Sequence, residues 1–281
     1  MRKYYDALLY TFSFLGLQVL AMVIVTLVMR MVHDSGTTDI RMQTIIAASV
    51  LSGIVVCALF CSLRWCTTGT GYLRQKPFRF LILTALLAVT LVIPMATIEE
   101  SLPAALQENR LEDVFSVMLS SIWGYVAVAL VAPLAEEIVF RGAILRRLLQ
   151  TKKDDAALSA RQIWSSIALS SLLFAMIHGN PAQIPHAFVI GLLLGWLYYR
   201  TGSIIPGVVY HWVNNSIPFL LVWLFPDIYA DAEVQEYFDG NVTLHAVCVA
   251  ISALLSVVLL TLLARHPSGF AVRGQSGGMQ E

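Results

Sequence analysis

Three apolar stretches of this chain each carry polar side chains spaced about one helical turn apart. Residues four apart share one face of an α-helix, so each group points in a single direction. Carboxylate, imidazole and amide groups gathered in one buried cavity could perform acid–base chemistry, and buried carboxylates and imidazoles could also relay protons. The three groups are Glu136, Glu137 and Arg141; Phe174 and His178; and His211 and Asn215.

The first group indicates a polar cavity because the residues before it, 122–135, carry no charge. Ionisable groups at the centre of a bilayer cost roughly 2.5 to 3.5 kcal/mol each, and they usually persist where they face a cavity or a partner. Glu137 and Arg141 are four residues apart and can form an ion pair. Glu136 is then left without an obvious local partner. One histidine in a membrane helix is often only a hydrogen-bonding residue, but His178 and His211 together favour a shared site.

The composition places these groups in a membrane protein. The chain has 281 residues, of which 58% are hydrophobic and 13% are charged, whereas soluble domains average about 45 to 50% and about 25%. A helix of about 20 residues crosses the hydrocarbon core, and eight apolar runs approach or exceed that length. We therefore predict an all-α, polytopic membrane helical bundle with about eight transmembrane helices. The runs are 8–31, 44–63, 78–98, 117–149, 163–177, 185–199, 204–225 and 242–264.

The distribution of charge predicts the orientation and argues against a nucleic-acid partner. The 18 Lys and Arg residues balance 18 Asp and Glu residues, so the net charge is zero. Most of the Lys and Arg residues fall on the side that holds both chain ends, which places both termini in the cytoplasm under the positive-inside rule.

Glu99 and Glu100 are expected to form a solvated end of the third helix, and His186 has no partner at a motif spacing.

Helix geometry places the polar groups near the middle of the membrane. At about 1.5 Å per residue, Glu136 lies roughly 15 Å from Arg146, and His211 lies roughly 12 Å from Ser203. Counted in the same way, His178 lies deeper in the membrane than Glu136 and His211. The turn at 178–181 is therefore expected to dip into the protein.

Proline and glycine positions predict how the helices pack around the groups. Pro133 has no N–H, so it is expected to leave the carbonyl of Ala129 without its helical donor. Gly191 and Gly195 are four residues apart, and this spacing predicts a close approach between two helices.

The three groups, in this order, resemble the CAAX prenyl endopeptidase and bacteriocin-processing family of intramembrane proteases. The pattern is Glu-Glu-x-x-x-Arg, then Phe-x-x-x-His, then His-x-x-x-Asn, each in a hydrophobic segment, and the resemblance covers about 126–219. It implies a catalytic core of helices 4 to 7 at 115–225. Transmembrane helices 1 to 3 at 1–114 would precede this core. An acidic outer loop and helix 8 at 226–264, and a flexible cytoplasmic tail at 265–281, would follow it.

The resemblance implies hydrolysis of a peptide bond by an activated water molecule. Glu136 would be the general base, His178 would hold and polarise the water, and His211 and Asn215 would donate hydrogen bonds to the oxyanion. Glu137 and Arg141 would orient their helix and keep a positive charge nearby. The catalytic set is thus Glu136, Glu137, Arg141, His178, His211 and Asn215, with Phe174 expected to bind substrate.

A metal-dependent version of this chemistry stays open. Two histidines and one glutamate form a known catalytic zinc ligand set, so Glu136, His178 and His211 could bind Zn²⁺. Asn215 is a poor zinc ligand and a good oxyanion donor, which favours the metal-free mechanism. The residues do not decide between the two.

Two other classes of function compete with the protease. A non-proteolytic scaffold or immunity protein could share the fold, and buried Glu and His also occur in proton-coupled transporters. For the protease, the resemblance implies a membrane protein or a lipidated, CAAX-like peptide as partner and substrate, with no nucleic acid involved. It also implies an integral protein of the bacterial inner membrane.

Overall fold

The computed structural model describes residues 2–32, 38–150, 158–225 and 238–265, and within these ranges the regular structure is helical, without strands. Most of the predicted acidic loop and nearly all of the predicted tail, at 226–237 and 266–281, lie outside the described residues. The helices are α1 (Arg2–Val32), α2 (Thr38–Ser62), α3 (Phe78–Glu100), α4 (Glu112–Leu119), α5 (Ile122–Leu149), α6 (Ala160–Met176), α7 (Gln183–Thr201), α8 (Ile205–Leu224) and α9 (Val242–Ala264).

The all-α polytopic bundle is confirmed, but the predicted count of about eight membrane spans is too high. In the described part of the chain, α1, α2, α3 and α9 are long and apolar enough to cross a membrane, and α4 with α5 would make a fifth span bent by 109°. Two of the other long helices, α6 and α8, fall short for physical reasons. With 17 residues, α6 reaches only about 25 Å at 1.5 Å per residue, and α8 carries a histidine and two asparagines.

The C-terminal part of α5 lies inside the bundle, whereas the outer helices face the surroundings with apolar side chains. Every residue of α5 from Ile138 to Leu145 is buried, and the helix contacts α1, α2, α6 and α8. A helix that is buried all round belongs to the core of a large bundle. On α1, by contrast, large side chains such as Phe12 and Val19 are exposed, as expected of a surface that faces lipid.

Two π-helical segments, at Val126–Val131 and Ile138–Leu145, lie on either side of the Glu pair in α5. Such segments are rare and often occur at functional sites. Side chains or backbone from other parts of the chain donate hydrogen bonds to their carbonyls. The donors are Asn215 to Val128 at 3.0 Å, Ser170 to Phe140 at 2.9 Å, and the backbone of Thr67 to Gly142 at 3.1 Å.

The first π-helical segment changes which backbone carbonyl lacks a hydrogen-bond donor because of Pro133. The sequence predicts that the carbonyl of Ala129 loses its donor, as it would in an α-helix. In the structure, the N–H of Ala132 instead reaches the carbonyl of Ala127, five residues back. In this register the donor that Pro133 cannot supply is the one for Val128. The carbonyl of Val128 accepts from Asn215 of α8 instead.

The predicted close approach at Gly191 and Gly195 is confirmed, and it joins α7 to α6. A Cβ atom at Gly191 would lie 2.9 Å from the Cβ of Ser171, and one at Gly195 would lie 2.8 Å from Cγ2 of Ile167. Real Cβ atoms essentially never approach this closely. Both glycines are therefore required by packing.

We expect Gly195→Ala to destabilise the protein by about 1 to 3 kcal/mol, because an added methyl group must displace the buried Ile167. Gly16→Ala is the matched control, since Gly16 is also within a helix but a Cβ atom added there would have nothing within 4 Å. That control should equal or exceed wild type by about 0.5 to 1 kcal/mol. Unfolding of both purified variants in detergent measures the difference. Equal stabilities would show that α6 and α7 do not depend on this contact.

Candidate active site

The buried ion pair predicted between Glu137 and Arg141 is present. Oε1 of Glu137 lies 2.6 Å from Nη1 of Arg141, and the two side chains are 0% and 1% exposed. Arg141 also donates from Nη2 to the carbonyl of Gly191 at 3.2 Å, and its guanidinium lies 4.5 Å from the ring centroid of Phe174. Additional partners of this kind are what make a buried ion pair tolerable, because the pair must offset the loss of hydration.

His211 lies between the two carboxylates and brings α8 to the Glu pair of α5. Its Nε2 is 3.6 Å from Oε2 of Glu136, and its Nδ1 is 3.8 Å from Oε1 of Glu137. These distances exceed those of direct hydrogen bonds. Nε2 of His211 and Oε2 of Glu136 are nevertheless close enough that one small polar group could hydrogen-bond to both atoms.

Charge is unevenly distributed in this site. Arg141 compensates the charge of Glu137, while Glu136 has no cationic Lys or Arg partner among the described residues. The side chain of Glu136 is 13% exposed, compared with 0% for Glu137. An ionised Glu136 therefore carries the negative charge that is not compensated within the site, and it has some access to the surroundings.

Gly207 allows α8 to pass close to the ion pair, although it lies outside the three sequence motifs. A Cβ atom at this position would lie 2.3 Å from Oε2 of Glu137. That oxygen is buried and has no hydrogen-bond partner among the described residues. The sequence could have identified Gly207 as part of the site, because it lies one helical turn before His211 on α8.

Phe174 is the aromatic centre of the site. Its ring centroid lies 5.0 Å from that of His178, 5.8 Å from that of His211 and 5.3 Å from that of Phe140, all in edge-to-face arrangements. The side chain is only 1% exposed. The structure therefore places Phe174 as an internal wall that supports the histidines, with little surface left for the predicted contact with substrate.

His178 joins the site through Phe174 and not through a direct hydrogen bond with Glu136 or His211 among the described residues. It lies two residues beyond the end of α6, where its Nδ1 is 2.9 Å from the carbonyl of Phe174. A carbonyl oxygen only accepts, so Nδ1 carries the proton in this contact and Nε2 is the free acceptor nitrogen of a neutral ring.

The turn after His178 is held by the loop that follows α3. Asn180 is buried, it donates to Oδ1 of Asn109 at 2.9 Å, and its own Oδ1 accepts from the N–H of Arg110 at 3.1 Å. The predicted inward turn is thus covered by protein. The expectation that His186 has no partner is wrong, because its Nδ1 contacts Oε1 of Glu99 and ties α3 to α7, while the side chain of Glu99 stays 32% exposed.

Asn215 lies beside the first π-helical segment. Its Nδ2 donates to the carbonyl of Val128 at 3.0 Å, and Val128 is eight residues before Glu136, or about 12 Å along the helix axis. Asn215 keeps a second N–H that this bond does not use. The structure therefore brings Glu136, Glu137, Arg141, Phe174 and His211 together and places His178 and Asn215 at the margins.

The predicted zinc ligands do not fit one metal ion in this arrangement. Among the described residues, no three His, Cys, Asp or Glu side chains are placed to hold a metal ion together. His178 in particular is separated from His211 by the ring of Phe174, since that ring contacts both imidazoles.

The fold and the site define a polytopic membrane protein with a buried acid–imidazole centre, and the segment of the chain that holds this site is similar to a family of CAAX prenyl endopeptidases. Residues 118–217 match the family described as "Type II CAAX prenyl endopeptidase Rce1-like". Every residue of the site lies within this segment.

A relative supports the same family. Over 111 residues the chain is 27% identical to the membrane-embedded CAAX protease MroQ of Staphylococcus aureus (strain USA300). The match covers 40% of this chain and 44% of that protein, so it spans less than half of the relative's length. No solved structure matches.

Proposed function

We propose that this protein is an intramembrane endopeptidase that hydrolyses a peptide bond by means of a water molecule activated by Glu136. The observation that carries the proposal is the 3.6 Å separation between Oε2 of Glu136 and Nε2 of His211. It lies in a site where the neighbouring carboxylate is already compensated by Arg141. A carboxylate and an imidazole at this separation can hold one water molecule between them.

In the proposed reaction, Glu136 accepts a proton from the water as its oxygen attacks the carbonyl carbon of the scissile peptide bond. The carbonyl oxygen becomes an oxyanion, and an N–H group of His211 donates a hydrogen bond to it. Asn215, one turn further along α8, would add the N–H that its bond to Val128 leaves unused. Each such donor is typically worth about 3 kcal/mol in the transition state. The oxyanion then re-forms a carbonyl as the C–N bond breaks, and Glu136 returns the proton to the leaving nitrogen, so that one carboxyl group acts first as base and then as acid.

The surrounding residues support this chemistry by fixing geometry and charge. Glu137 holds Arg141 on the face of α5 that turns toward Phe174, so the positive charge stays close to Glu136 without binding it. Phe174 packs against both imidazoles and limits their rotation. His178 presents its free Nε2 and would help to position the water or the substrate.

The substrate in this proposal is a membrane-associated or lipidated peptide, as suggested by the description "CAAX prenyl endopeptidase" for the matching family. The site lies on helices that pack within an apolar bundle, so a substrate anchored in the bilayer could reach it laterally. We further propose that the protein lies in a bacterial inner membrane with both termini in the cytoplasm, because the basic residues concentrate on that side.

Cleavage can be tested with the purified protein in detergent or liposomes. The substrates are a prenylated CAAX-type peptide and the same peptide without its lipid, and mass spectrometry detects the products. Cleavage at one internal bond of the lipidated peptide supports the proposal. If neither peptide is cut, membrane peptide fractions from cells with and without the protein should be compared for an accumulating precursor. The absence of any precursor would contradict the proposal.

Removal of metal ions is expected to leave this cleavage unchanged, because the proposed steps use only Glu136, the histidines and Asn215. The measurement compares initial rates before and after dialysis against a strong chelator, and again after zinc is added back. A zinc peptidase treated in parallel is the control, and it should lose activity. A loss of cleavage that zinc restores would overturn the metal-free mechanism and revive the ligand set of Glu136, His178 and His211.

A further inference from the structure

A polar cavity lies away from the candidate active site, at the end of the bundle where α1 begins and where α2 and α5 end. Its volume is about 280 Å³, and four arginines line it: Arg2, Arg64, Arg146 and Arg147. No residue of the candidate active site lines this cavity. Along α5, Arg146 is ten residues from Glu136, or about 15 Å. The two sites are therefore separate.

The cavity has a strong excess of positive charge. Among the described residues, Arg147 is the one arginine of the four with an acidic partner, since its Nε lies 2.6 Å from Oδ2 of Asp6. Its Nη1 also donates to Oε1 of Gln150 at 2.6 Å. Arg2, Arg64 and Arg146 form no ion pair with any residue that the structure describes. Three arginines without an acidic partner among the described residues thus line one small volume, and their like charges favour the binding of an anion there.

The backbone at Arg64 adds an independent observation. Arg64 has a φ of +55°, a left-handed conformation in which a side chain other than that of glycine is disfavoured. It stands just after α2, where Trp65 N–H binds the carbonyl of Phe60 and Arg64 N–H binds that of Cys61, both at 3.0 Å. This is the helix-ending motif in which glycine is the usual residue. Arg64 adopts this disfavoured conformation at the wall of the cavity, which points to a role for its side chain there.

We propose that this cavity binds the phosphate-bearing headgroup of an anionic phospholipid. Arginine matches the geometry of phosphate through paired N–H groups, and basic pockets between membrane helices are known to bind lipid headgroups. The volume of about 280 Å³ suits a headgroup, while the apolar side chains of α1 that point outward nearby, such as Tyr5 and Leu9, are exposed and would contact the acyl chains.

Titration of the purified full-length protein with lipids in detergent tests the proposal. Native mass spectrometry and thermal unfolding are recorded with added phosphatidylglycerol, with phosphatidylcholine and with inorganic phosphate. We expect phosphatidylglycerol to bind and to raise the unfolding temperature, and phosphatidylcholine to do neither. If inorganic phosphate has an equal effect, the cavity binds free phosphate and the lipid assignment is wrong. Equal effects of the two lipids, or none, would overturn it.

The chain offers a matched pair of variants for this experiment. Lys76, like Arg64, is a basic and exposed residue in the left-handed region, with a φ of +52°, but it does not line the cavity. Both Arg64→Gly and Lys76→Gly remove one positive charge and relieve the same backbone strain, so neither should prevent folding. We expect Arg64→Gly to weaken phosphatidylglycerol binding about 10-fold or more and Lys76→Gly to change it little. If both variants lose the same amount of phosphatidylglycerol binding, the lipid responds to general surface charge and the cavity is not a specific site.

Discussion

Glu136→Gln is expected to reduce peptide cleavage by about 10³-fold or more while the protein remains folded. The amide has nearly the shape of the carboxylate but cannot accept the proton of the attacking water, and a general base contributes about 10² to 10⁴ in rate. Folding should be preserved because Glu136 is partly exposed and is not the partner of Arg141. Initial cleavage rates of purified wild type and variant, together with unfolding temperatures, measure the effect.

Glu112→Gln is the matched control for this experiment, since Glu112 is an exposed carboxylate in the first turn of α4. It should cleave at the wild-type rate. If Glu136→Gln also cleaves at that rate, Glu136 is not the base and the proposed mechanism fails. If wild type and variant are both inactive on peptides but equally able to support the protein's role in cells, a non-proteolytic scaffold becomes the better account.

Arg141→Met is expected to lower the free energy of unfolding by about 3 to 5 kcal/mol, because it leaves the carboxylate of Glu137 buried without its partner. The side chain of Glu137 is 0% exposed, so water cannot replace the guanidinium. Reversible unfolding in mixed detergent micelles measures the loss. Arg110→Met is the control, since Arg110 pairs with Glu108 at the exposed surface, where loss of the ion pair should not measurably change stability.

The double variant Glu137→Gln with Arg141→Met shows whether the loss of stability comes from the unpaired charge of Glu137 or from the lost packing of the guanidinium. Replacing both charged partners is often far less costly than removing one, because no buried charge is left unpaired. We expect the double variant to recover a large part of the stability while cleavage stays low, since the charge near Glu136 is gone. A double variant as unstable as Arg141→Met would show that packing of the guanidinium against Phe174 contributes more than charge.

Sequence reasoning predicted the parts of the site that depend on local spacing. The pair of Glu137 and Arg141 follows from residues four apart on one helix, and the contact at Gly191 and Gly195 follows from two small residues on one face. The proximity of Glu136 to His211 was also predicted, because polar groups buried in a membrane are stabilised by contact with one another. These predictions needed no knowledge of which helices are neighbours.

The remaining features depend on departures from regular helix geometry, which a sequence pattern does not register. The π-helical segments of α5 change which carbonyl lacks a donor, so Asn215 binds Val128. His178 lies beyond the end of α6 and reaches the site through a ring contact. The count of spans was too high because apolar content was taken as sufficient, although helices that line a polar core can be shorter or less apolar than helices that face lipid.

The dependence of α5 on donors from its neighbours has a consequence for biogenesis. Three of its backbone carbonyls bind groups of α6, α8 and the segment after α2, and its carboxylates are costly in hydrocarbon when alone. This helix is therefore a poor candidate for independent release from the insertion machinery into lipid. It must be retained at the translocon, or shielded there by a chaperone, until α8 has been synthesised, so a nascent chain that stops short of α8 should be a substrate for quality control.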